Sequence, residues 1–124
     1  MLNVIHTNNA PEAIGPYSQA IVCNGLLFTS GQIAINPANG QVEATTIEGQ
    51  TEQVMRNLGA LLEASGTGFD KVVKTTCFLR DMSDFSTFNG IYAQYFTGKP
   101  ARSCVAAKQL PKDVLVEVEL IAEV

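Results

Sequence analysis

The sequence is short of charge and of the residues that most often carry chemistry. Only 16% of its 124 residues are Asp, Glu, Lys or Arg, while 46% are hydrophobic. That balance excludes an intrinsically disordered chain. It also points, weakly, to surface covered by a partner. Basic residues are the scarcer sign: eight Lys+Arg face twelve Asp+Glu, a net charge of −4. Lys71 and Lys74 are the closest approach to a basic patch. Nucleic acid is therefore not expected as a partner, because such binding relies on cations set against phosphates. A single buried Arg can still hold one small carboxylate.

Three cysteines are present, Cys23, Cys77 and Cys104, far apart and in no C-x-x-C pair. This argues against a disulfide framework and against a zinc site. His6 is the one histidine, and any Ser-His or Cys-His arrangement would have to use it. A lone histidine near a terminus is more often a surface or packing residue, so triad chemistry is not expected. The acids are scattered, which leaves no metal site. Gly15, Gly25, Gly31 and Gly40 lack the spacing of a phosphate-binding loop, so no nucleotide cofactor is expected. No apolar run approaches the ~18 residues of a membrane span. The opening MLNVIHTNNAPEA has no basic region followed by an apolar stretch, so it does not read as a signal peptide. A reduced, cytoplasmic protein without membrane contact is the expectation.

What is there reads as one domain over residues 1–124, long enough to bury a core without a staple. Two strand-like segments, 18–23 and 26–30, flank Asn24-Gly25, the strongest short hairpin signal. Residues 36–40 are a loop by composition. Thr45 and Glu48 have capping-box spacing. Ile47, Thr51, Val54, Leu58, Leu61, Leu62 and Ser65 then form the stripe of one buried helix face, and Gly66 is a stop. Residues 71–80 are rich in β-branched side chains and predict a strand. Ser83 is the expected cap of a second helix carrying Phe85, Phe88, Tyr92 and Tyr95/Phe96 on one stripe. Gly98 and Pro100 end it, and residues 102–107 predict another strand. After a turn at 110–113, residues 114–124 alternate, with Val114, Val116, Val118, Leu120 and Ala122 on one face. The order β-β-α-β-α-β-β predicts an α+β sandwich, two helices on one face of a mixed sheet. The other face keeps apolar residues such as Leu115 and Ile121, which a symmetric oligomer would cover.

Arg102 is the most unusual polar residue. The chain has three arginines, Arg56, Arg80 and Arg102, and the last opens an apolar strand after Pro100-Ala101. Its guanidinium matches a carboxylate bidentately. A structural ion pair with Glu117 or Glu119 is an equally good reading of the spacing. If the strand at 102–107 pairs with the last strand, Arg102 and Glu117 converge; Glu119 and Glu123 read as solvated. Gly15-Pro16 forms a rigid turn that points Tyr17. Cys104 could be a nucleophile, yet an isolated Cys on an apolar strand is usually inert packing.

These residues also resemble a known family. Residues 10–20 (APEAIGPYSQA) and 29–33 (TSGQI), then 73–82 (VKTTCFLRDM) with Phe85, Asn89 and Tyr92, then 100–105 (PARSCV) and 110–112 (LPK) with Val116-Glu117-Val118-Glu119, are similar to the Rid family. These are reactive intermediate deaminases, also called the YjgF family, and the closest likeness is to the RidA type. The resemblance spans nearly the whole chain. It implies a chorismate-mutase-like α+β fold assembled as a homotrimer, sheets inward as a barrel, with clefts between subunits. It implies hydrolysis of 2-imino acids such as 2-iminopropanoate and 2-iminobutanoate, formed from enamines released by pyridoxal-phosphate enzymes. The products would be 2-oxo acids and ammonia, with no cofactor. Carried over by position, Arg102 would bind the substrate carboxylate and Glu117 would position or activate water. Tyr17, Ser30, Gly31, Asn89 and Cys104 would line the cleft, Gly31 and Cys104 through their backbones. One departure is the compact loop 96–100, which some relatives lengthen and which bears on substrate chain length.

Two other functions compete. The same cleft could hold a 2-oxo acid and report its level to a partner protein. Some members of the family are described as ribonucleases that inhibit translation, but the net charge and lack of a basic stripe count against that here.

Overall fold

Asn24 and Gly25 take φ of 53° and 77°, the pair of positive values a two-residue hairpin turn requires. That turn joins β2 (Ala20–Cys23) to β3 (Leu26–Thr29) in antiparallel register. The computed structural model describes residues 2–124. A three-residue strand β1 (Asn3–Ile5) pairs with β2 at the sheet edge. The segment expected as a plain loop is a small hairpin, β4 (Ile35–Asn36) with β5 (Gln41–Val42).

Helix α1 (Ile47–Ala64) buries the expected stripe of Ile47, Thr51, Val54, Leu58, Leu61 and Leu62. Its cap is Thr46, one residue beyond Thr45, with Oγ1 accepting from the Gly49 N–H at 3.1 Å. Thr46 is followed at the third position by Gly49, which has no side chain to bond back, so no capping box forms. At the other end Gly66 takes φ 76°, and the Gly66 and Thr67 N–H groups donate to Glu63 and Leu62. This paired closure satisfies the last carbonyls.

Strand β6 (Val72–Leu79) leads through a 3₁₀ turn into α2 (Phe85–Tyr95). The turn is capped by Asp81, whose Oδ1 accepts from the Ser83 N–H at 2.8 Å. Ser83 does not cap α2: it lies within the 3₁₀ turn, Asp84 stands at the start of the helix, and no side-chain hydrogen bond caps that end. Strands β7 (Ala101–Ala106) and β8 (Val116–Glu123) complete the sheet in the order β1-β2-β3-β8-β6-β7. Strand β7 runs parallel to β6, and every other pairing is antiparallel.

This order corrects one expectation. β7 does not pair with β8; β6 lies between them, and β7 is an edge. A parallel partner needs a crossover, and α2 supplies it between β6 and β7.

Val116, Val118, Leu120 and Ala122 of β8 all lie under the helices at 2% exposure or less. With Leu27, Cys77 and Leu79 they meet Val54, Leu58 and Leu61 of α1 and Phe88 of α2 in one core. The opposite face carries Ile21, Phe28, Phe78, Val105 and Ile121, and neither α1 nor α2 packs on it. Leu115 does not belong to that face. It precedes β8, packs against the core, and its N–H donates to Gln50 Oε1 at 2.8 Å.

Candidate active site

The residues singled out in the sequence fall into two groups on opposite sides of the sheet. Arg102 lies beside Thr75, and Thr75 beside Leu120, so all three face the helices. Glu117 lies beside Phe78, and Phe78 beside Val105. Residues 102 and 105 of one strand are an odd number apart, and side chains alternate, so Arg102 and Glu117 project from opposite faces. Their rows are also about 10 Å apart along the strands. Within one chain the two residues do not converge.

Among the described residues Arg102 has no carboxylate partner. The one Lys or Arg ion pair among them is Arg80–Asp113 at 3.3 Å, and His6 Nε2 lies 3.5 Å from Glu12 Oε1; both contacts are exposed. Neither Glu117 nor Glu119 reaches Arg102, because both leave the other face of the sheet. Its Nη1 donates to Asn89 Oδ1 at 2.6 Å. Its Cζ lies 4.7 Å from the Tyr92 ring centre and 5.4 Å from that of Phe85. Phe85, Asn89 and Tyr92 are spaced i, i+4, i+7 on α2, which places them on one helix face. A cavity of about 370 Å³ opens here, lined by Arg102, Asn89, Tyr92, Phe96, Lys99 and Pro100 among others. Its charged residues are both basic.

Cys104 follows Arg102 by two residues on the same face and sits beside Cys77 in register. Burial raises its thiol, with Arg102 and Cys77 pulling the other way. Cys77 is fully buried, and burial pushes its thiol up to about 12. A thiolate is the reactive form, so both environments disfavour it.

The second group surrounds Glu117 in a cavity of about 430 Å³ shared with Tyr17, Gln19, Ser30, Gly31 and Pro111 among others. Gly31 meets a strict requirement. A Cβ there would land on the Glu117 carboxyl group, 2.8 Å from its Cδ and nearer still to Oε2. Gln32 holds this contact. Its N–H donates to Val118 O at 2.8 Å, and the Val118 N–H returns a bond at 3.1 Å. Ser30 Oγ donates to Ser18 O at 2.6 Å. Tyr17, on the Gly15-Pro16 turn, is 53% exposed and projects from the surface rather than packing. Glu117 is half-buried, and burial, aided by the neighbouring charge of Glu119, raises its carboxyl above the usual range.

Gln19 is the residue here whose role sequence reasoning missed. It is 3% exposed. Its amide donates to Thr7 O, Ala10 O and Pro11 O, and its Oε1 accepts from the Thr7 N–H. It ties the segment at 7–11 against the Glu117 cavity. No periodicity marks such a clamp. Phe85 and Tyr92 were legible only as core, although their helical spacing from Asn89 carried the signal. A third cavity, about 640 Å³, is an open trough by Gly25, Gly66 and Lys71 that touches none of these residues.

A family model described as Endoribonuclease L-PSP matches residues 7–124. The chain belongs to the YjgF/Rid family. A Rid family protein of Yersinia pestis, described as of unknown function, superposes with a TM-score of 0.97 at 53% identity, with both chains covered completely. The chloroplastic Reactive Intermediate Deaminase A of Arabidopsis thaliana is 48% identical over 96% of this chain and 64% of its own length. Escherichia coli TdcF, solved with bound serine, superposes with a TM-score of 0.93 at 39% identity over 98% of both chains. Names among the family's members thus range from endoribonuclease through regulator to deaminase. No helix among the described residues is long and apolar enough to cross a membrane. Among them no group of three or more His, Cys, Asp and Glu side chains could hold a metal ion.

Proposed function

We propose that this chain hydrolyses short 2-imino acids, 2-iminobutanoate and 2-iminopropanoate, to 2-oxo acids and ammonia without a cofactor. The observation that carries this reading is Arg102, a guanidinium held only by neutral partners. An arginine without a counter-charge is a ready receptor for a carboxylate. An imine is already electrophilic, so orientation of substrate and water suffices and no nucleophile is needed.

Arg102 holds the carboxylate. Water attacks C2 of the protonated imine while Glu117 accepts one of its protons, giving a carbinolamine. Glu117 returns that proton to nitrogen and accepts the C2 hydroxyl proton as the C–N bond breaks, so the C2 oxygen becomes the carbonyl and ammonia leaves, taking up the last proton as ammonium. A carboxyl whose hold on a proton is strengthened by burial suits a group that must take and return one. Tyr17, Ser30 and Gly31 border the Glu117 side, and Asn89 and Cys104 the Arg102 side.

Because Arg102 and Glu117 leave opposite faces, one cleft must draw them from two copies of the chain. A homotrimer fits. It would cover the apolar face that bears Phe28 at 41% and Val105 at 51% exposure, and the unpaired edge of β7.

Complementation tests this directly. Arg102→Ala and Glu117→Gln proteins, each inactive alone, are unfolded, mixed equally and refolded together. If each cleft pairs residues from two copies, about a quarter of the clefts regain both groups by random assortment. No recovered turnover, from mixed oligomers of normal size, would sink the shared cleft. Binding of 2-oxobutanoate without turnover of in situ generated imine, in the unaltered protein, would make it a binding module instead.

A further inference from the structure

A guanidinium on an edge strand is a flexible receptor, and its rotamers cost entropy to order unless neighbours hold them. An acid would hold Arg102 but would also neutralise it. The neighbours here are neutral. Asn89 accepts one N–H, and the Tyr92 ring supports the guanidinium at 4.7 Å.

Tyr92 is itself immobilised. Phe96 stacks on its ring with centroids 4.3 Å apart and planes 28° apart. Phe88 lies against it at 5.7 Å. Its hydroxyl shares a 2.7 Å hydrogen bond with Thr75 Oγ1, and Thr75 is the register partner of Arg102 on β6. The compact loop after α2 contributes too, since the Lys99 N–H donates to Phe96 O at 3.2 Å and closes the turn that carries Phe96. At 7% exposure the ring sits with little room to turn.

We propose that Tyr92 is a positioning residue for the anion receptor: its ring, locked by Thr75 and Phe96, holds Arg102 in place with its charge uncompensated. The support is a cation–π contact, strengthened by partial desolvation. Its effect belongs to binding of the carboxylate and not to proton transfer at Glu117. The role rests on the imine-hydrolase reading above.

The test compares Tyr92→Leu, Tyr92→Phe and Thr75→Val in assembled protein. Calorimetry measures binding of 2-oxobutanoate and of its neutral amide, and imine turnover gives kcat and KM. Tyr92→Phe keeps the ring but gives up the hydroxyl's bond to Thr75, so it should show a few-fold loss confined to the acid, smaller than that of Tyr92→Leu. Tyr92→Leu should weaken 2-oxobutanoate binding and raise KM about tenfold, with kcat and amide binding little changed. Equal losses for acid and amide, or a fall in kcat at constant KM, would mark a merely structural role and overturn the proposal. Should Tyr92→Leu fail to fold, Thr75→Val decides: a few-fold loss confined to the acid supports it, and no loss overturns it. An unaltered protein that neither binds 2-oxobutanoate nor turns over imines would instead refute the functional reading. One that does both, beside a Tyr92→Leu variant with unchanged binding, would refute only the role of Tyr92.

Discussion

The two faces of the sheet share the same strands and have opposite fates. One face is packed under α1 and α2, with Leu27, Val118 and Leu58 at 0% exposure. The other leaves Phe28 and Val105 half in water and carries Glu117, Glu119 and Glu123 among its apolar residues. Arg102 belongs to the first face and is held by aromatic rings and an amide. Glu117 belongs to the second, beside a glycine that leaves it room. The closed face thus supplies rigidity within one chain. In the proposed mechanism the open face would supply the proton acceptor and the surface that meets another copy. Charge follows the same division, because the cavity at Arg102 is lined by basic residues and no acid.

Removing either charged group separates the roles of the two faces. Arg102→Ala should abolish both 2-oxo-acid binding and imine turnover, a loss on the order of 2–5 kcal/mol if the acid is left desolvated and unpaired. Glu117→Gln is nearly isosteric and should keep ligand binding while turnover falls about 10²-fold. Calorimetry beside a coupled assay distinguishes them. Equal loss of binding in both would erase the division.

Disturbing the core between that face and α1, away from Arg102, should cost folding alone. Leu58→Ala leaves a cavity under the sheet and should destabilise each chain by about 2–5 kcal/mol, read by denaturant unfolding. By contrast, Phe28→Asp puts a charge on the uncovered face. It should leave the chain folded by circular dichroism, yet shift light scattering toward monomer and take the activity with it. A folded, active monomer would remove the shared cleft.

Smaller effects follow from the thiols and from Glu117 itself. Cys104→Ala should change turnover by less than about threefold, because burial keeps that thiol protonated. For Glu117 the sign is set by a folded-state value raised above the unfolded one. The folded chain binds the proton more tightly. Its stability contribution is therefore best at low pH and is lost as pH rises through the interval between the two values. Glu117→Gln should remove that dependence and be slightly more stable than the parent at neutral pH. Parallel pH–stability curves for the two proteins would mean that Glu117 is not desolvated.

Much of the architecture was legible because it is local. The Asn24-Gly25 turn, the α1 stripe ending at Gly66 and the alternation along β8 depend on residues within one or two turns of each other, and all stand in the fold. Caps were less secure, since Thr46 took the place of its like neighbour Thr45 by geometry no spacing rule encodes, and Asp81 caps the 3₁₀ turn while no side chain caps α2. The motifs around Arg102 and Asn89 fall on one cavity, and those around Glu117, Tyr17, Ser30 and Gly31 on another. What only the tertiary structure decided is their arrangement. Inserting β6 between β7 and β8 sends Arg102 and Glu117 to opposite faces, and strand order is a long-range choice that alternation within a strand does not constrain. The aromatic bed beneath Arg102 came from the same source, because Tyr92, Phe96 and Thr75 meet only once α2 has crossed back over the sheet.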